Sequence, residues 1–415
     1  MQRHLFSRLI FALGVFALGC DGMSGCRDDL NRVKPAAVQQ GAPASRLEGR
    51  EDAAHSLNQF AFELHDRLAD DGNAAYSPLG IYAALSMSMA GARGETAEEM
   101  ARVLHAEDVE QFHEKLGALN WYLGSARSDA TAAIAQDLWV DDAFAPRPSY
   151  RKQLVAAYGA SVRDVDFGDP EAAAQAINDY FARVTSGLLE EVVSAKSFGP
   201  TTRFVLTSAL YFDLEWQTPF DESKTSKSPF HVTEDRAVPV EMMYQKSRFR
   251  YAFVDGVRVV ELPYRGGQYS AIGILPHNET LEEVESRLDA KMFETLRDAL
   301  RERPNLPVSL PRVTLQRSVM LKNALESMGI EAAFEPGAAD FGGLADEDIF
   351  LSDVQHAAVF ELNEAGTKAS AATVATGEMA AEMMPEFIAN RPFLLLIVDD
   401  ATGAIVFVAR IVDPR

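Results

Sequence analysis

Apolar and polar residues follow two periodicities along most of the chain, one typical of helices and one typical of strands. An early stretch places apolar residues three and four positions apart, which predicts one buried face of a helix: Leu57, Phe60, Leu64 and Leu68. Further helices are predicted over residues 79–90, 171–184 and 321–328. Ser77-Pro78 supplies an N-cap and a first-turn proline for the first of these three.

Short runs of β-branched and aromatic residues predict strands, most of them in the second half of the chain. These runs cover residues 202–212, 257–262, 270–275, 393–398 and 405–412. Helices dominate the first half and strict strand–helix–strand alternation is absent, so the sequence predicts an α+β fold with large mixed or antiparallel sheets. No linker, repeat or low-complexity break interrupts residues 51–415, which we interpret as one domain.

The N-terminal residues have a different character. Arg3 and Arg8 give a positive start to an apolar run of eleven residues, 9–19. Such a run is shorter than the roughly 20 residues that a membrane-spanning helix needs. This pattern predicts a signal peptide over residues 1–19 and export of the remaining chain. Residues 20–50 show no apolar periodicity and are predicted to form a flexible tether.

Cys20 directly follows Ala17-Leu18-Gly19, an arrangement similar to a bacterial lipoprotein signal, in which the cysteine becomes the lipidated first residue. This interpretation predicts a cell-envelope lipoprotein with a lipid anchor in the membrane. The alternative is an ordinary cleaved signal followed by a chance cysteine, which predicts a secreted, extracellular protein.

Charge and residue chemistry narrow the class of function. The chain has 61 acidic and 39 basic residues and a net charge of −22, so its surface repels phosphate backbones and nucleic acid is not expected as a partner. The two cysteines, Cys20 and Cys26, both lie near the N-terminus, which excludes a disulfide scaffold and a catalytic cysteine in the main domain.

Enzyme motifs are absent from the sequence: it contains no G-x-S-x-G, H-E-x-x-H, phosphate-loop or G-x-G-x-x-G pattern. The eight histidines do not pair at metal-ligand spacing. His356 lies in the apolar run DVQHAAVF, where we expect a hydrogen-bonded core histidine and not a base. The sequence therefore predicts no enzymatic activity, no metal and no cofactor.

Residues 364–392 have a pattern unlike the rest of the chain. In extended form, one face would carry uncharged side chains, all small except the last: Thr367, Ala369, Ala371, Thr373, Ala375, Gly377 and Met379. The other face would carry both charges, Lys368 and Glu378. No proline occurs before Pro385, so every amide could join a sheet. The segment therefore suits a strand inserted in a sheet, and the alternative is a flexible Ala-rich linker.

The order of many short motifs resembles the serpin family over nearly all of residues 51–415. The run NEAGTKASAAT from Asn363 to Thr373 is similar to the serpin hinge, and Arg391-Pro392-Phe393-Leu394 to the start of the strand after the reactive loop. Other pieces follow in the family's order: Asn73, Ser77-Pro78, GARGETAEEM at 91–100, INDY at 177–180, TSG at 185–187, LTSALYF at 206–212, Trp216, Pro219-Phe220, FHV at 230–232, ELPY at 261–264 and LPR at 310–312. Two residues depart from the family pattern: Ser208 replaces the usual Asn, and Lys368 replaces an acidic residue.

The resemblance implies the serpin fold, with helices packed on large mixed sheets and an exposed reactive-centre loop at about residues 364–391. It implies a hinge made of Glu364, Gly366, Thr367, Ala369, Ser370, Ala371, Ala372 and Thr373. It also implies a structural motif made of Asn73, Ser77, Pro78, Trp216, His356, Pro392 and Phe393.

Serpins present this loop to a serine protease, which cleaves one bond and is trapped as an acyl-enzyme when the freed loop inserts into the central sheet. The family's spacing from Gly366 places that bond between Ala380 and Ala381, while Met379, Ala381 and Met383 stay open as alternatives on the acyl side. A small apolar residue there favours an elastase- or subtilisin-like target. The resemblance thus implies a covalent protease partner, a monomeric inhibitor and no cofactor.

Two other classes of function remain as alternatives. A serpin fold also occurs in non-inhibitory binding and chaperone proteins, whose hinges tend to carry bulky or charged residues on the buried face. The small set from Thr367 to Gly377 argues against that class. A hydrolase is the third alternative, and the sequence offers it no nucleophile motif.

Overall fold

The computed structural model describes residues 48–69, 72–124, 131–141, 144–184, 187, 191–199, 202–352, 354–367 and 385–415. The signal peptide over 1–19, Cys20 and most of the tether over 20–50 lie outside the described residues. The same holds for five hinge positions and for the bond between Ala380 and Ala381; the five are Ala369, Ser370, Ala371, Ala372 and Thr373.

The described residues include nine α-helices: α1 (Arg50–Leu68), α2 (Pro78–Gly91), α3 (Gly94–Val103), α4 (Val109–Gly124), α5 (Pro148–Tyr158), α6 (Pro170–Val184), α7 (Leu281–Glu285), α8 (Ala290–Ala299) and α9 (Lys322–Met328). The helices predicted over 79–90, 171–184 and 321–328 are α2, α6 and α9, each within one residue at both ends. The apolar set that begins with Leu57 forms the buried face of α1, as predicted. The structure adds α3, α4, α5, α7 and α8.

The described residues also include fifteen strands: β1 (Ala74–Tyr76), β2 (Thr131–Asp141), β3 (Ser161–Val165), β4 (Phe204–Glu215), β5 (Ser226–Thr233), β6 (Arg236–Val254), β7 (Val257–Pro263), β8 (Tyr269–Pro276), β9 (Arg301–Pro311), β10 (Val313–Met320), β11 (Val354–Leu362), β12 (Gly366–Thr367), β13 (Phe387–Ile388), β14 (Phe393–Asp399) and β15 (Ile405–Ile411). All five predicted strands are present, as β4, β7, β8, β14 and β15.

The described strands form two sheets. A nine-stranded sheet has the order β1-β15-β14-β8-β7-β6-β9-β13, with β5 paired to β6, and nearly all its pairs are antiparallel. A six-stranded sheet has the order β10-β11-β4-β2-β3, with β12 also paired to β4. In this second sheet the pairs β11–β4 and β2–β3 are parallel and the others antiparallel. The mixed sheets agree with the predicted α+β class.

Helix α2 lies in the core and contacts strands of both sheets. Every residue of α2 is buried, and its contacts include β2 and β4 of the six-stranded sheet and β15 of the nine-stranded sheet. Its sequence, PLGIYAALSMSMAG, carries no charge on any side, as a helix surrounded by protein requires. The helix begins as predicted, because the Ser77 hydroxyl accepts a hydrogen bond from the Gly80 amide at 3.0 Å.

No helix in the described part of the chain is both long and apolar enough to cross a membrane. No group of three or more described His, Cys, Asp or Glu residues is placed to hold a metal ion.

A buried histidine links α4 to α5. The ring of His113 is hydrogen-bonded through Nδ1 to the Tyr158 hydroxyl, and both residues are buried. Burial lowers the pKa of His113 from 6.5 to about 4, because the low-dielectric interior disfavours the charged imidazolium. The folded protein therefore holds this histidine neutral at pH values where the unfolded chain protonates it.

We expect the protein to lose stability as the pH falls from 6.5 towards 4, the interval over which only the unfolded state takes up a proton at His113. The variant His113→Gln keeps a polar atom for Tyr158 and cannot titrate. Between pH 7 and pH 4.5 the wild type should lose about 2–3 kcal/mol more free energy of unfolding than this variant. Urea unfolding at the two pH values measures the difference, and an equal loss in both proteins would contradict the assignment.

Candidate functional site

The six-stranded sheet contains a central seam that is closed over only part of its length. β11 pairs in parallel with β4 at five consecutive positions, ending with Ala358 opposite Leu210. Beyond this point β11 continues to Leu362 and β4 to Glu215, with no further pairing between them in the described residues. We call this opening between the two strands the seam fork.

The first residues of the predicted hinge lie in the mouth of the seam fork. β12 runs antiparallel to β4, with Gly366 opposite Glu215 and Thr367 opposite Leu214. A Cβ atom on Gly366 would lie 1.9 Å from the carbonyl oxygen of Leu214, so the close approach of the two backbones requires glycine here. The Thr367 side chain points into the protein and the residue is 3% exposed.

Asn363 builds the turn that carries the chain from β11 into β12. Its Oδ1 accepts hydrogen bonds from the amides of Ala365 at 3.0 Å and Gly366 at 3.2 Å, and its own amide donates to the Gly366 carbonyl at 2.9 Å. Asn is suited to such turns because its side chain can satisfy amides two and three residues later. Trp216 fixes the turn from outside: its indole Nε1 donates to the Asn363 carbonyl at 3.0 Å and its amide to the Ala365 carbonyl at 2.8 Å.

The wall of the fork beside Thr367 is aromatic. The rings of Trp216 and Tyr264 stack with centroids 4.5 Å apart and an angle of 7° between their planes. The Tyr264 hydroxyl lies 2.9 Å from Oγ1 of Thr367. Burial raises the pKa of Tyr264, so the hydroxyl stays neutral and able to share a proton with threonine. The pocket therefore holds one small hydroxylated side chain beside a neutral hydroxyl.

Glu364 forms an ion pair with Arg312 that ties the turn to the rest of the molecule, with the carboxylate buried and the guanidinium partly exposed. Its side chain is 5% exposed, and Arg312 Nε donates to both carboxylate oxygens at 2.7 Å. The Thr225 hydroxyl donates to the same carboxylate, and the Phe220 amide donates to the Glu364 carbonyl at 2.8 Å. The hydrogen bond to Glu364 raises the pKa of Arg312. A buried carboxylate needs such partners, because leaving it unpaired costs several kcal/mol.

The closed part of the seam is anchored through His356, which is fully buried on β11 opposite Ser208 of β4. Its Nε2 accepts a hydrogen bond from the Ser77 amide at 3.0 Å. The Ser77 hydroxyl donates to the Val406 carbonyl at 2.8 Å. His356 and Ser77 thus connect β11 with the start of α2, which Pro78 opens, and with β15. This environment is that of a structural histidine and offers no substrate access.

Three residues of the predicted structural motif remain: Asn73, which fixes the C-terminal residues, and Pro392 and Phe393 at the start of β14. Asn73 Oδ1 accepts hydrogen bonds from the amides of Val412 at 2.7 Å and Asp413 at 2.9 Å. Pro392 directly precedes β14, and Phe393 is the fully buried first residue of that strand.

The chain resumes at Pro385 and is fixed to the nine-stranded sheet within a few residues. β13 pairs in parallel with β9, with Phe387 opposite Val308, and the Phe387 ring is fully buried. Shortly afterwards Arg391 Nε donates to the Pro276 carbonyl at 3.0 Å. Residues 368–384 are therefore bounded by β12 in one sheet and by β13 in the other.

A second, smaller hydrophobic cluster lies over the closed part of the seam. It joins Ile177 and Phe181 of α6 to Trp139 of β2 and Ala357 of β11, and Val205 of β4 packs against it. The strands on both sides of the seam therefore pack against the same hydrophobic cluster. Separating them would require this cluster to rearrange.

Polar contacts fix α6 to β2 and β3. Arg163 Nε donates to the buried Asp137 carboxylate at 2.8 Å, and its guanidinium lies 4.1 Å from the Tyr180 ring centroid and 5.6 Å from that of Trp139. Burial raises the pKa of Asp137, an effect that the ion pair with Arg163 opposes. These contacts add to the apolar packing of α6 on the sheet.

The structure adds three residues to the predicted hinge environment: Arg312, Tyr264 and Thr225. Arg312 and Tyr264 belong to the LPR and ELPY motifs. Both motifs contribute to the family resemblance, but the sequence assigns no role to either residue. Arg312 lies 52 positions from Glu364, and Tyr264 lies 103 positions from Thr367. Their place in these motifs is the only sign in the sequence that Arg312 and Tyr264 matter. Local sequence pattern cannot show that two residues so far apart are in contact.

Comparison with known proteins agrees with this geometry. The family model described as Serpin (serine protease inhibitor) matches residues 55–414. An uncharacterized serpin-like protein of Thermococcus kodakarensis is 34% identical, and the match covers 98% of each chain. The leukocyte elastase inhibitor of Homo sapiens is 30% identical, over 88% of this chain and 100% of that protein.

Solved structures show the same fold. Thyroxine-binding globulin in complex with thyroxine superimposes with a TM-score of 0.81 at 26% identity, covering 88% of this chain and 99% of that one. Uncleaved ovalbumin superimposes with a TM-score of 0.76 at 27% identity, covering 87% and 100%. These likenesses confirm the predicted serpin fold. With the family match over residues 55–414, they show that the chain belongs to the serpin family.

Proposed function

We propose that this serpin inhibits serine proteases of the elastase or subtilisin type and traps them as acyl-enzymes by inserting its cleaved loop into the seam fork. The observation that carries the proposal is the position of Gly366 and Thr367, which already pair with β4 in the antiparallel direction that an inserted strand needs. The 30% identity to a leukocyte elastase inhibitor supports the same reaction class.

The length of β4 matches the length of the small-residue pattern. Continuing the β12–β4 register one residue at a time brings residue 377 opposite Phe204, the first residue of β4. Residues 366–377 would then cover all twelve residues of β4, a strand of about 40 Å. Gly377 is also the last small member of the alternating set that begins with Thr367. The length of β4 and the small-residue pattern thus both support Gly377 as the last residue of the proposed inserted strand.

Insertion would form more backbone pairing between strands than it breaks. Because β4 and β11 are parallel, a strand that runs antiparallel to β4 is antiparallel to β11 as well. Insertion breaks five parallel positions and makes two antiparallel ladders, which are somewhat more stable for each residue. It also buries the small face of the segment. The uncleaved protein is then a kinetically trapped state. Insertion is prevented because the intact chain still connects β12 to β13.

The chemistry follows from the protease's own mechanism. The protease serine Oγ bonds to the carbonyl carbon of Ala380, the peptide bond to Ala381 breaks, and the new amino group of Ala381 takes a proton from the protease histidine. Water would normally hydrolyse the acyl bond. If insertion is faster than hydrolysis, the protease is carried along the sheet while still bound to Ala380, and its active site is deformed.

The residues around the proposed bond support the class of target that we propose. Ala380 and Ala381 are small and apolar, which suits a shallow primary pocket. No basic residue lies between Lys368 and Arg391, which argues against trypsin-like proteases. Cleavage after Met379 or Met383 would instead favour chymotrypsin-like proteases, and methionine oxidation would then weaken inhibition.

A non-inhibitory binding role is the second candidate, and the structural likeness to thyroxine-binding globulin favours it. The fork argues for inhibition: it already holds Thr367 in a fitted pocket, and the segment that follows carries no bulky residue on the matching face before Met379. A protein with no use for insertion has no need of that face.

We also propose that the inhibitor is exported and that Cys20 carries a lipid. The signal-like run 9–19 and the position of the cysteine support this. The mass of the mature N-terminal peptide distinguishes a lipidated Cys20 from an unmodified end.

Mixing the protein with pancreatic elastase or with subtilisin should give a complex that survives a denaturing gel, because the acyl bond is covalent. A C-terminal peptide should be released whose N-terminal sequence begins at Ala381. Mass spectrometry of that peptide fixes the cleaved bond. Complete cleavage by both proteases without any gel-stable complex would contradict the inhibitor proposal.

Cleavage of the loop between Thr376 and Pro385 should raise thermal stability. The nick frees the small-faced segment to complete the sheet, so the product has more pairing and more burial than the intact chain. Calorimetry of intact and nicked protein measures the change. A melting temperature that stays equal or falls after the nick would contradict strand insertion.

Thr367→Arg should convert the inhibitor into a substrate, whereas Lys368→Glu should still trap the protease. The arginine would enter the pocket beside Tyr264 unpaired, and each 1.4 kcal/mol added to the insertion barrier slows insertion about tenfold. Position 368 belongs to the opposite, charged face. The ratio of trapped to cleaved inhibitor on denaturing gels measures the outcome, and equal trapping by both variants would contradict the assignment of faces.

A further inference from the structure

The turn between β8 and α7 contains the triplet Asn278-Glu279-Thr280, which the inhibitory mechanism does not use. An Asn-X-Thr or Asn-X-Ser triplet in which X is not proline is the acceptor motif for N-linked glycosylation of exported proteins. No other asparagine of the 415-residue sequence is followed by Ser or Thr two positions later. The sequence therefore offers one acceptor position, at Asn278.

The backbone on both sides of Asn278 is fixed, while Asn278 itself is exposed. The His277 amide donates to the Gly256 carbonyl at 3.0 Å. The Glu279 carboxylate accepts from two guanidinium nitrogens of Arg287, each at 2.7 Å. The Asn278 side chain forms no hydrogen bond with another residue in the described part of the chain. The turn thus presents an accessible side-chain amide.

The threonine of the motif is exposed as well and begins α7. Thr280 Oγ1 accepts a hydrogen bond from the Glu283 amide at 3.2 Å. This bond uses a lone pair of the oxygen and not its proton, so the hydroxyl keeps a donor for a second partner. The cap and the motif therefore use the same threonine without conflict.

An exposed aromatic ring lies beside the turn. Phe253, near the end of β6, is 56% exposed. Its ring contacts the ring of His277 edge to face, with centroids 5.2 Å apart and 84° between the planes. One face of a pyranose ring consists largely of C–H groups, and placing that face on an exposed phenylalanine removes apolar surface from water. Asn278 directly follows His277, so a sugar linked to it lies within reach of Phe253.

We propose that Asn278 of the exported protein carries an N-linked glycan and that the first sugar of this glycan covers Phe253. The sugar donor is a lipid-linked oligosaccharide, and the catalyst is a transferase of the compartment that the chain enters. The side-chain nitrogen of Asn278 bonds to C1 of the first sugar and gives one proton to a base of the transferase. The bond from C1 to the lipid phosphate breaks, and its electron pair stays on the phosphate oxygen. The inference rests on the proposed export and not on the inhibitory mechanism.

The test isolates the exported chain from the membranes and medium of the cells that make it. The readout is the mass of the tryptic peptide 266–287, which contains the motif. The wild type is compared with Asn278→Gln, Thr280→Asp and Thr280→Ser. Aspartate is a strong N-cap, so Thr280→Asp removes the motif but keeps the start of α7. Thr280→Ser keeps both the cap and the motif.

The peptide from the wild type and from Thr280→Ser should exceed its sequence mass by a whole number of sugar residues. Asn278→Gln and Thr280→Asp should both lose this excess. Loss in Thr280→Asp alone would place the sugar on the threonine hydroxyl and overturn the proposal, as would an unmodified wild-type peptide. A chain found only inside the cell would contradict export and this proposal with it, whereas the inhibitory function is measured separately with purified protease.

The contact with Phe253 is tested by thermal unfolding. In the wild-type background, Asn278→Gln should lower the melting temperature by about 1–2 °C, because the phenylalanine ring loses its cover. In a Phe253→Ser background the same substitution should cause no shift. Val155→Ser is the matched control, since Val155 of α5 is also a large apolar side chain, 62% exposed, and the shift should persist there. Equal shifts in all three backgrounds would overturn the contact.

Discussion

The short parallel pairing between β4 and β11 is the constraint on which the rest of the structure depends. Five paired positions hold the two strands together up to Ala358 and Leu210, and the fork above them admits Gly366 and Thr367. If the pairing ran to the strand ends, the hinge would have no entrance. If it were absent, the sheet would expose two unpaired edges, which attract other strands. A half-closed seam keeps the entrance open while it protects the remainder of both edges.

Buried contacts on three sides keep the seam half closed. His356 fixes the closed end to the start of α2, the Glu364–Arg312 ion pair fixes the turn above the fork, and the apolar cluster under α6 bridges both strands. Opening the seam by one strand spacing, about 4.8 Å, moves Ala357 away from Val205 within that cluster. The same contacts that stabilise the uncleaved protein would therefore form part of the barrier to the proposed insertion, which would couple stability to trapping.

Local sequence pattern could predict the parts of the fold that depend on neighbours in the chain. The uncharged sequence of α2 with its Ser77-Pro78 start, the apolar strands β14 and β15, and the small face that begins at Thr367 all follow from short spacings. The fork could not be predicted this way, because its shape depends on where β11 stops pairing with β4, about 150 residues away. The partners of Glu364 and Thr367 cannot be predicted from local pattern for the same reason. The ion pair between Arg312 and the buried Glu364 and the threonine–tyrosine contact are fixed by tertiary packing, which leaves no periodic signal.

The reactive segment is proposed to end as a strand, yet its composition disfavours strand formation. This low propensity has a physical consequence for insertion. Ala and Gly have weak strand propensity, and they make up much of residues 366–377. A segment rich in Val, Ile and Tyr would gain more from entering the fork before cleavage, and it would pair more readily with the sheet edges of other copies. With small residues, most of the driving force comes from the ladders that β4 and β11 provide and little from the segment itself. The proposed insertion would then depend on release of the segment by a protease, as the proposed inhibitory mechanism requires.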